Sequence, residues 1–272
     1  MAYWTGERLE THITNITSIE HLHRYSIACD LVHGLEVLDL ASGEGYGSNL
    51  LAKKAKFVTG VDIDTETINR SVSKYVSANL EFKIGSATNV PLANNSVDAV
   101  ISFETLEHHD KHEEMLLEIK RVLRPNGFLL MSSPDKKFYS DEANYSNPFH
   151  VKELYQPQFK SLIDSHFIER QYFNQRPVSG SLILSDALTQ GMSLYSGDYE
   201  QIAEKKPFTP IYNMVLASDS SLPIISSSIF SSTDLITSVR SEMATLYTSS
   251  LTWKLGRALI KPFDVLKRAI KF

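Results

Sequence analysis

The sequence predicts an α/β protein built on a doubly wound, mostly parallel sheet, and three observations carry that expectation. Short apolar runs alternate with stretches of helical periodicity from about residue 36 to residue 132, the order that lays helices on both faces of a parallel sheet. The first run, Val37-Leu38-Asp39-Leu40, passes into Ala41-Ser42-Gly43-Glu44-Gly45-Tyr46-Gly47, with glycine at every second position. Such a turn is tight enough to need residues without Cβ and lets a ligand approach the backbone. The second run ends in Asp62, 23 positions after Asp39, where a carboxylate can accept both hydroxyls of a ribose.

The elements follow in order. A helix carrying Glu20-His21-Leu22-His23-Arg24-Tyr25 precedes the first strand. Strands are expected at 36–41, 57–62, 79–84, 97–102 and 127–132, with helices near 46–54, 65–76 and 110–123. Arg124-Pro125-Asn126-Gly127 supplies turn chemistry before the fifth strand. Two more strands, near 166–173 and 211–217, complete a seven-stranded sheet. The stretch 174–209 between them is too long for a hairpin loop and reads as a substrate-side insertion. Residues 1–217 would form one domain, 218–233 a serine-rich linker, and 234–272 a helical tail. From 251 the tail is amphipathic: Trp253, Leu255, Leu259, Ile260 and Phe263 alternate with bases, and Pro262 would kink it.

At 272 residues and 42% hydrophobic content, the chain can bury a full α/β core. Its single cysteine, Cys29, allows no internal disulfide and suits a reducing compartment. No signal-peptide pattern and no long apolar run occur, so a cytoplasmic location is expected. The net charge of −5 divides into +5 over residues 251–272 and −10 over the rest. An acidic body argues against nucleic acid as a partner.

The glycine spacing separates two ligand classes. Dinucleotide sites use G-x-G-x-x-G, whereas this chain has G-x-G-x-G directly behind a strand-borne acid. An acid there is unfavourable for a pyrophosphate and suits a ligand carrying an ammonium and a sulfonium. Over about residues 35–170 the chain resembles the class I S-adenosylmethionine-dependent methyltransferases, in particular the type 11 group. It departs at Ala41, where that family usually has glycine. The resemblance implies a Rossmann-like sheet whose last two strands form an antiparallel terminal hairpin, with S-adenosylmethionine as cofactor.

The resemblance also assigns roles. Asp39 would orient the loop and face the cofactor amino group, while Ala41, Gly43 and Gly45 offer main-chain contacts. Asp62 would take the ribose hydroxyls and Ile63 pack on the adenine. Ser86 and Ala87 stand where an acid and an amide usually reach the adenine, with an ordinary turn serine as the alternative. Phe103 would touch the cofactor through its main chain, and Leu106 line the adenine. Arg24 or His21 would meet the cofactor carboxylate, Arg24 being the better partner because it is always charged; a surface pair with Glu20 is the competing view.

Methyl transfer from a sulfonium asks the protein to align donor and acceptor and to manage one proton. His108 is the natural base by its titration range, and Glu104, four positions earlier, would share its helical face. His150, in Asn147-Pro148-Phe149-His150, is the second candidate, with helix capping as its alternative. Glu107, His108 and His150 could conceivably hold a metal, but no spacing demands it and none is expected.

Gly6-Glu7-Arg8, Glu20–Tyr25, Ser102–His109 and Asn147–Leu154 together resemble the methyltransferases of bacterial surface-polysaccharide and O-antigen biosynthesis. The acceptor implied is a sugar hydroxyl on a nucleotide-linked or lipid-linked glycan. The basic tail would then contact an inner-leaflet membrane, or a glycosyltransferase. Two alternatives stand: a small-molecule methyltransferase acting on a quinone-like metabolite, and a non-catalytic cofactor-binding scaffold for a glycosyltransferase.

Overall fold

The structure, a computed structural model, describes residues 9–189, 191–195, 199, 201, 206–250 and 252–253. The motif at 6–8, parts of 174–209, and the basic tail apart from Thr252 and Trp253 lie outside the described residues. Two compact units are present, Met1–Phe230 and Ser231–Phe272.

The first unit opens with α1 (Ile16–Leu31), started by a capping box in which Asn15 and Ser18 exchange side-chain and backbone bonds. There follow β1 (Glu36–Leu40), α2 (Tyr46–Ala52), β2 (Phe57–Asp62), α3 (Thr65–Lys74), β3 (Leu80–Ile84), β4 (Val97–Phe103), α4 (His112–Val122) and β5 (Leu123–Pro134). Then come α5 (Gln156–Asp164), β6 (Glu169–Val178), β7 (Gly180–Ser185), α6 (Asp186–Thr189), the two-residue strands β8 (Ser193–Leu194) and β9 (Lys206–Pro207), and β10 (Tyr212–Ser218). β11 (Ser228–Ser231) is the last strand among the described residues, and α7 (Thr233–Ser249) belongs to the second unit. That helix was expected over 234–249.

The main sheet has nine strands in the order β11-β7-β6-β10-β5-β4-β1-β2-β3. β3, β2, β1, β4 and β5 run parallel, and β10 lies antiparallel between β5 and β6. The expected doubly wound sheet with an antiparallel end is therefore present. β7 and β11 add two strands to the expected seven. β6 runs on to Val178 and folds back as β7, pairing Phe173 with Ser185, and part of the serine-rich stretch adds β11. The short apolar run Leu182-Ile183-Leu184, with Ile183 and Leu184 buried, carries that strand.

Helices cover both faces. Leu38, Leu40, Val61, Val100, Leu129 and Met131 pack against Met115, Leu116 and Ile119 of α4 and Phe159 and Ile163 of α5. Val37, Val58, Ala99, Ile101 and Leu130 pack against Ile27 and Ala28 of α1 and Leu51 of α2. The turn expected at 124–127 instead bulges out of β5, whose ladder with β4 jumps from Leu123 to Phe128.

Candidate active site

The glycine turn sits at the carboxyl end of β1, where parallel sheets place their ligands. Its backbone is left-handed at Ala41 (φ 62°), Gly43 (φ 53°) and Gly45 (φ 90°). A Cβ at Gly45 would lie 2.8 Å from the Phe82 ring, and one at Gly47 only 2.0 Å from Tyr25 Cζ, so packing excludes side chains at both. Asp39, 1% exposed, accepts bonds from Ser48 Oγ at 2.6 Å and Tyr25 Oη at 3.1 Å. It pins α1 and α2 beneath the turn, and burial pushes its carboxyl up to about 6.

Asp62 accepts from Gly43 N at 2.9 Å through Oδ2 and from Asp64 N at 3.0 Å through Oδ1. Ile63 beside it is 72% exposed, an apolar surface available to a planar base. Ser86 is turned into its own loop, where its Oγ accepts from Thr88 N at 3.2 Å; this is the turn-serine alternative. Ala87 packs on the core. Leu106 is buried in the core with α4 at 1% exposure.

Arg24 is fully buried rather than on a surface face. Its Nη1 donates to Gln175 Oε1 at 2.7 Å and stands 3.4 Å from Glu104 Oε1, and the guanidinium lies 5.0 Å from the Tyr212 ring centre. Nε and Nη2, like Ser42 Oγ, have no hydrogen-bond partner among the described residues. Unpaired buried donors cost roughly 1–3 kcal/mol, and a carboxylate is the group that would satisfy a guanidinium edge. Reaching it requires neighbouring side chains to yield, since these atoms are closed to solvent. His21 does not share the role: its Nδ1 is hydrogen-bonded with Tyr46 Oη at 2.8 Å, and burial together with Arg24 holds its pKa well below the usual value, so it is neutral.

Glu104 and His108 do not share a face. Glu104 has φ 53°, and Leu106–His108 form a 3-10 turn, so the four-residue helical spacing never develops. Glu104 instead accepts from Ser132 Oγ at 2.5 Å and pairs with Arg24. His108 meets His150 edge-on at 5.2 Å between ring centres, and its Nε2 lies 3.9 Å from Glu107 Oε1. Glu107 is buried, takes a bond from Ser133 Oγ at 3.3 Å, and its carboxyl is raised well above the usual range, by burial first and by Glu104 second. Its main-chain oxygen accepts from Val151 N and Lys152 N, stitching the loop after β5 to the turn after β4. His150 does not cap α5, whose N-cap is Tyr155; its Nδ1 lies 2.5 Å from Glu153 Oε1.

A cavity of about 680 Å³ opens along this loop, lined by Lys136, Ser140, Asp141, Asn144, Tyr145, Ser146, Asn147, His150, Val151, Lys152 and Glu153. Sequence reasoning missed Tyr25, Ser132, Gln175 and Tyr212. Ser132 and Ser133, directly after the apolar run Phe128–Met131, were a readable signal, since a buried strand tolerates hydroxyls only where they have partners.

Residues 38–131 match the family described as "Methyltransferase domain". A protein of Mycolicibacterium smegmatis named "Probable S-adenosylmethionine-dependent methyltransferase" is 34% identical over 133 residues, 48% of this chain and 51% of that protein. A fatty-acid O-methyltransferase of the same organism is 30% identical over 131 residues, 47% of each chain. The chain thus spans about half the length of these curated relatives. Among solved structures, the YcgJ protein of Bacillus subtilis aligns with a TM-score of 0.55 at 15% identity, covering 74% of this chain and all of that one, which is a likeness of fold. Residues 38–131 thus match a methyltransferase domain, and relatives similar over this stretch are named as S-adenosylmethionine-dependent methyltransferases.

Proposed function

We propose that the whole chain is an O-methyltransferase whose acceptor is a hydroxyl of a polyhydroxylated molecule, a sugar of a surface glycan. The observation that supports this acceptor most is the cavity beside His150, whose lining is polar and charged except for Tyr145 and Val151. Sugars are held by such side-chain hydrogen bonds, whereas a fatty acyl chain, the acceptor of the relative named above, needs apolar walls.

When bound, S-adenosylmethionine supplies a methyl group on a positively charged sulfur. The chain's residues do the rest. Asp62 holds the ribose diol, the left-handed turn at 41–45 presents its main chain, and Arg24 takes the carboxylate. The post-β4 and post-β5 segments, joined through Glu107, carry the acceptor, and the His108–His150 pair faces the hydroxyl whose proton must leave.

Isothermal titration tests the cofactor half: Asp62→Asn should weaken S-adenosylmethionine binding about tenfold, the value of one charge-assisted bond. For the acceptor half, label from methyl-tritiated cofactor should pass to nucleotide-linked or lipid-linked sugars. Transfer to fatty acids with none to sugars would overturn the acceptor.

A further inference from the structure

We propose that Glu44 is a positioning residue for the cofactor turn: it latches the segment Glu10–Ile13 and the end of α3 onto the turn, and cofactor leaves when this latch opens. The inference rests on the cofactor reading given above and names what controls access to that same site. Glu44 stands between Gly43 and Gly45, both of them left-handed. A backbone flanked by two glycines is cheap to disorder, and the side chain between them is where the rest of the protein takes hold of the turn.

Only 13% of the Glu44 side chain is exposed, and both of its carboxylate oxygens are engaged. Oε1 accepts from Thr11 Oγ1 at 3.0 Å and from Lys74 Nζ, while Oε2 accepts from Tyr75 Oη at 2.7 Å. Lys74 Nζ also donates to Thr11 Oγ1 at 2.6 Å, so Thr11, Glu44 and Lys74 close on one another. Burial alone would raise the Glu44 carboxyl, but the bonds from Lys74, Tyr75 and Thr11 outweigh it and hold it below the usual carboxylate range. The main chain is held from the same side, with Ser71 Oγ of α3 2.9 Å from the Glu44 main-chain oxygen.

The segment is shaped to reach this carboxylate. Ile13 N donates to Glu10 O at 2.9 Å, a turn that carries Thr11 at its bend. Glu10 gives a second tie, 3.7 Å from Arg70 of α3. Asn15 then caps α1, the helix that bears Arg24. The latch therefore joins the two parts of the chain assigned to the cofactor, the main chain of the turn and the helix of the guanidinium. Fixing both before the cofactor arrives strengthens binding by lowering the cost of ordering them, and by linkage the bound cofactor must strengthen the latch. Thr11 is exposed and Lys74 44% exposed, so the latch opens without unfolding the core.

Tritiated S-adenosylmethionine bound to the full chain is chased with unlabelled cofactor and its release followed. Lys74→Met and Thr11→Val should each speed release about tenfold, whereas Thr11→Ser, which keeps the hydroxyl, should not. Glu44→Lys should also speed release, and adding Lys74→Glu should restore most of the loss, a rescue that a general fall in stability does not give. Lys56→Met, which breaks the exposed pair with Glu36 at 2.7 Å, should leave release unchanged. Release at the unaltered rate from both Lys74→Met and Thr11→Val overturns the latch. Amide exchange in the cofactor-free chain reads the tie by itself: Lys74→Met should speed exchange about fivefold at both Ile13 and Gly45, whose amides donate to Glu10 O and Ser42 O. Unchanged exchange at either amide also overturns it. Should the unaltered chain take up no S-adenosylmethionine, the cofactor reading falls, and the two amides still decide whether Glu44 ties segment to turn.

Discussion

The turn after β1 and the cluster after β4 and β5 lie at the same end of one sheet but were built by different kinds of information. In the turn, Asp39, Gly43, Gly45 and Asp62 are placed by local chain geometry: a strand, a left-handed backbone, a helix, a strand. Spacing in the sequence is then spacing in space. In the cluster, Arg24 meets Gln175 and Glu20 meets Tyr212 at 3.1 Å, contacts that depend on how β10 and β6 were added beside β5, while His108 meets His150 across the segments after β4 and β5. A motif written in neighbouring residues is legible; a charge network closed by distant strands is not.

The largest expected effect lies in the network. Arg24→Met removes the buried cation between Glu20 and Glu104 and leaves their carboxyls uncompensated, which should cost about 3–5 kcal/mol in urea unfolding. If stability changes by less than 1 kcal/mol, the guanidinium is not the keystone of the cluster, and the contrast with the turn weakens. His150→Ala comes next: turnover should fall about 10²-fold with cofactor affinity nearly unchanged, because the ring belongs to the acceptor side. A loss of cofactor binding of the same size would mean that the two regions are one site.

Acidity compares the regions directly. In the turn, Asp39 is faced by Tyr25, Ser48 and Asp62, and burial raises it to about 6. In the network, Glu20 is faced by Arg24, Tyr212 and Glu104, and burial raises it to about 7. Both values lie above those of the unfolded chain, so between them the folded chain keeps a proton that the unfolded chain has released. Stability from these groups is full below about pH 4 and is lost as pH rises through 6 and then 7. Each loss should be about 3 kcal/mol. Denaturant titrations across pH 4–8 should show Asp39→Asn removing the lower part of the decline and Glu20→Gln the upper part. Unchanged curves in both variants would show that neither carboxyl is protonated in the native state.

These same residues show what sequence could and could not deliver. Asp39 was legible because an acid inside Val37-Leu38-Asp39-Leu40 has no comfortable solvent-exposed position. Glu104 was misplaced because its pairing with His108 assumed an α-helix, and one left-handed residue followed by a 3-10 turn redirects both side chains. Leu106, placed beside the adenine by its motif, is buried in the core with α4, where an apolar side chain goes. The nine-stranded sheet exceeded seven because 174–209 was read as one insertion from its length, while Gly180–Ser185 within it pairs as a strand and Ser228–Ser231 adds another.

The smallest effect tests the one position where the turn departs from the pattern it resembles. Ala41 holds φ 62°, a conformation that costs a residue with Cβ roughly 1–2 kcal/mol, while glycine in its place loses about 0.4–1 kcal/mol through a freer unfolded chain. The two terms nearly cancel, so Ala41→Gly should raise stability by no more than about 1 kcal/mol and leave cofactor binding as it is. Ala41→Val should lower stability, since a β-branched side chain tolerates this backbone least. Were Ala41→Gly destabilising and Ala41→Val neutral in thermal unfolding, the backbone at 41 would not be left-handed in solution. The turn would then have lost the local determinism that sets it apart from the network behind it.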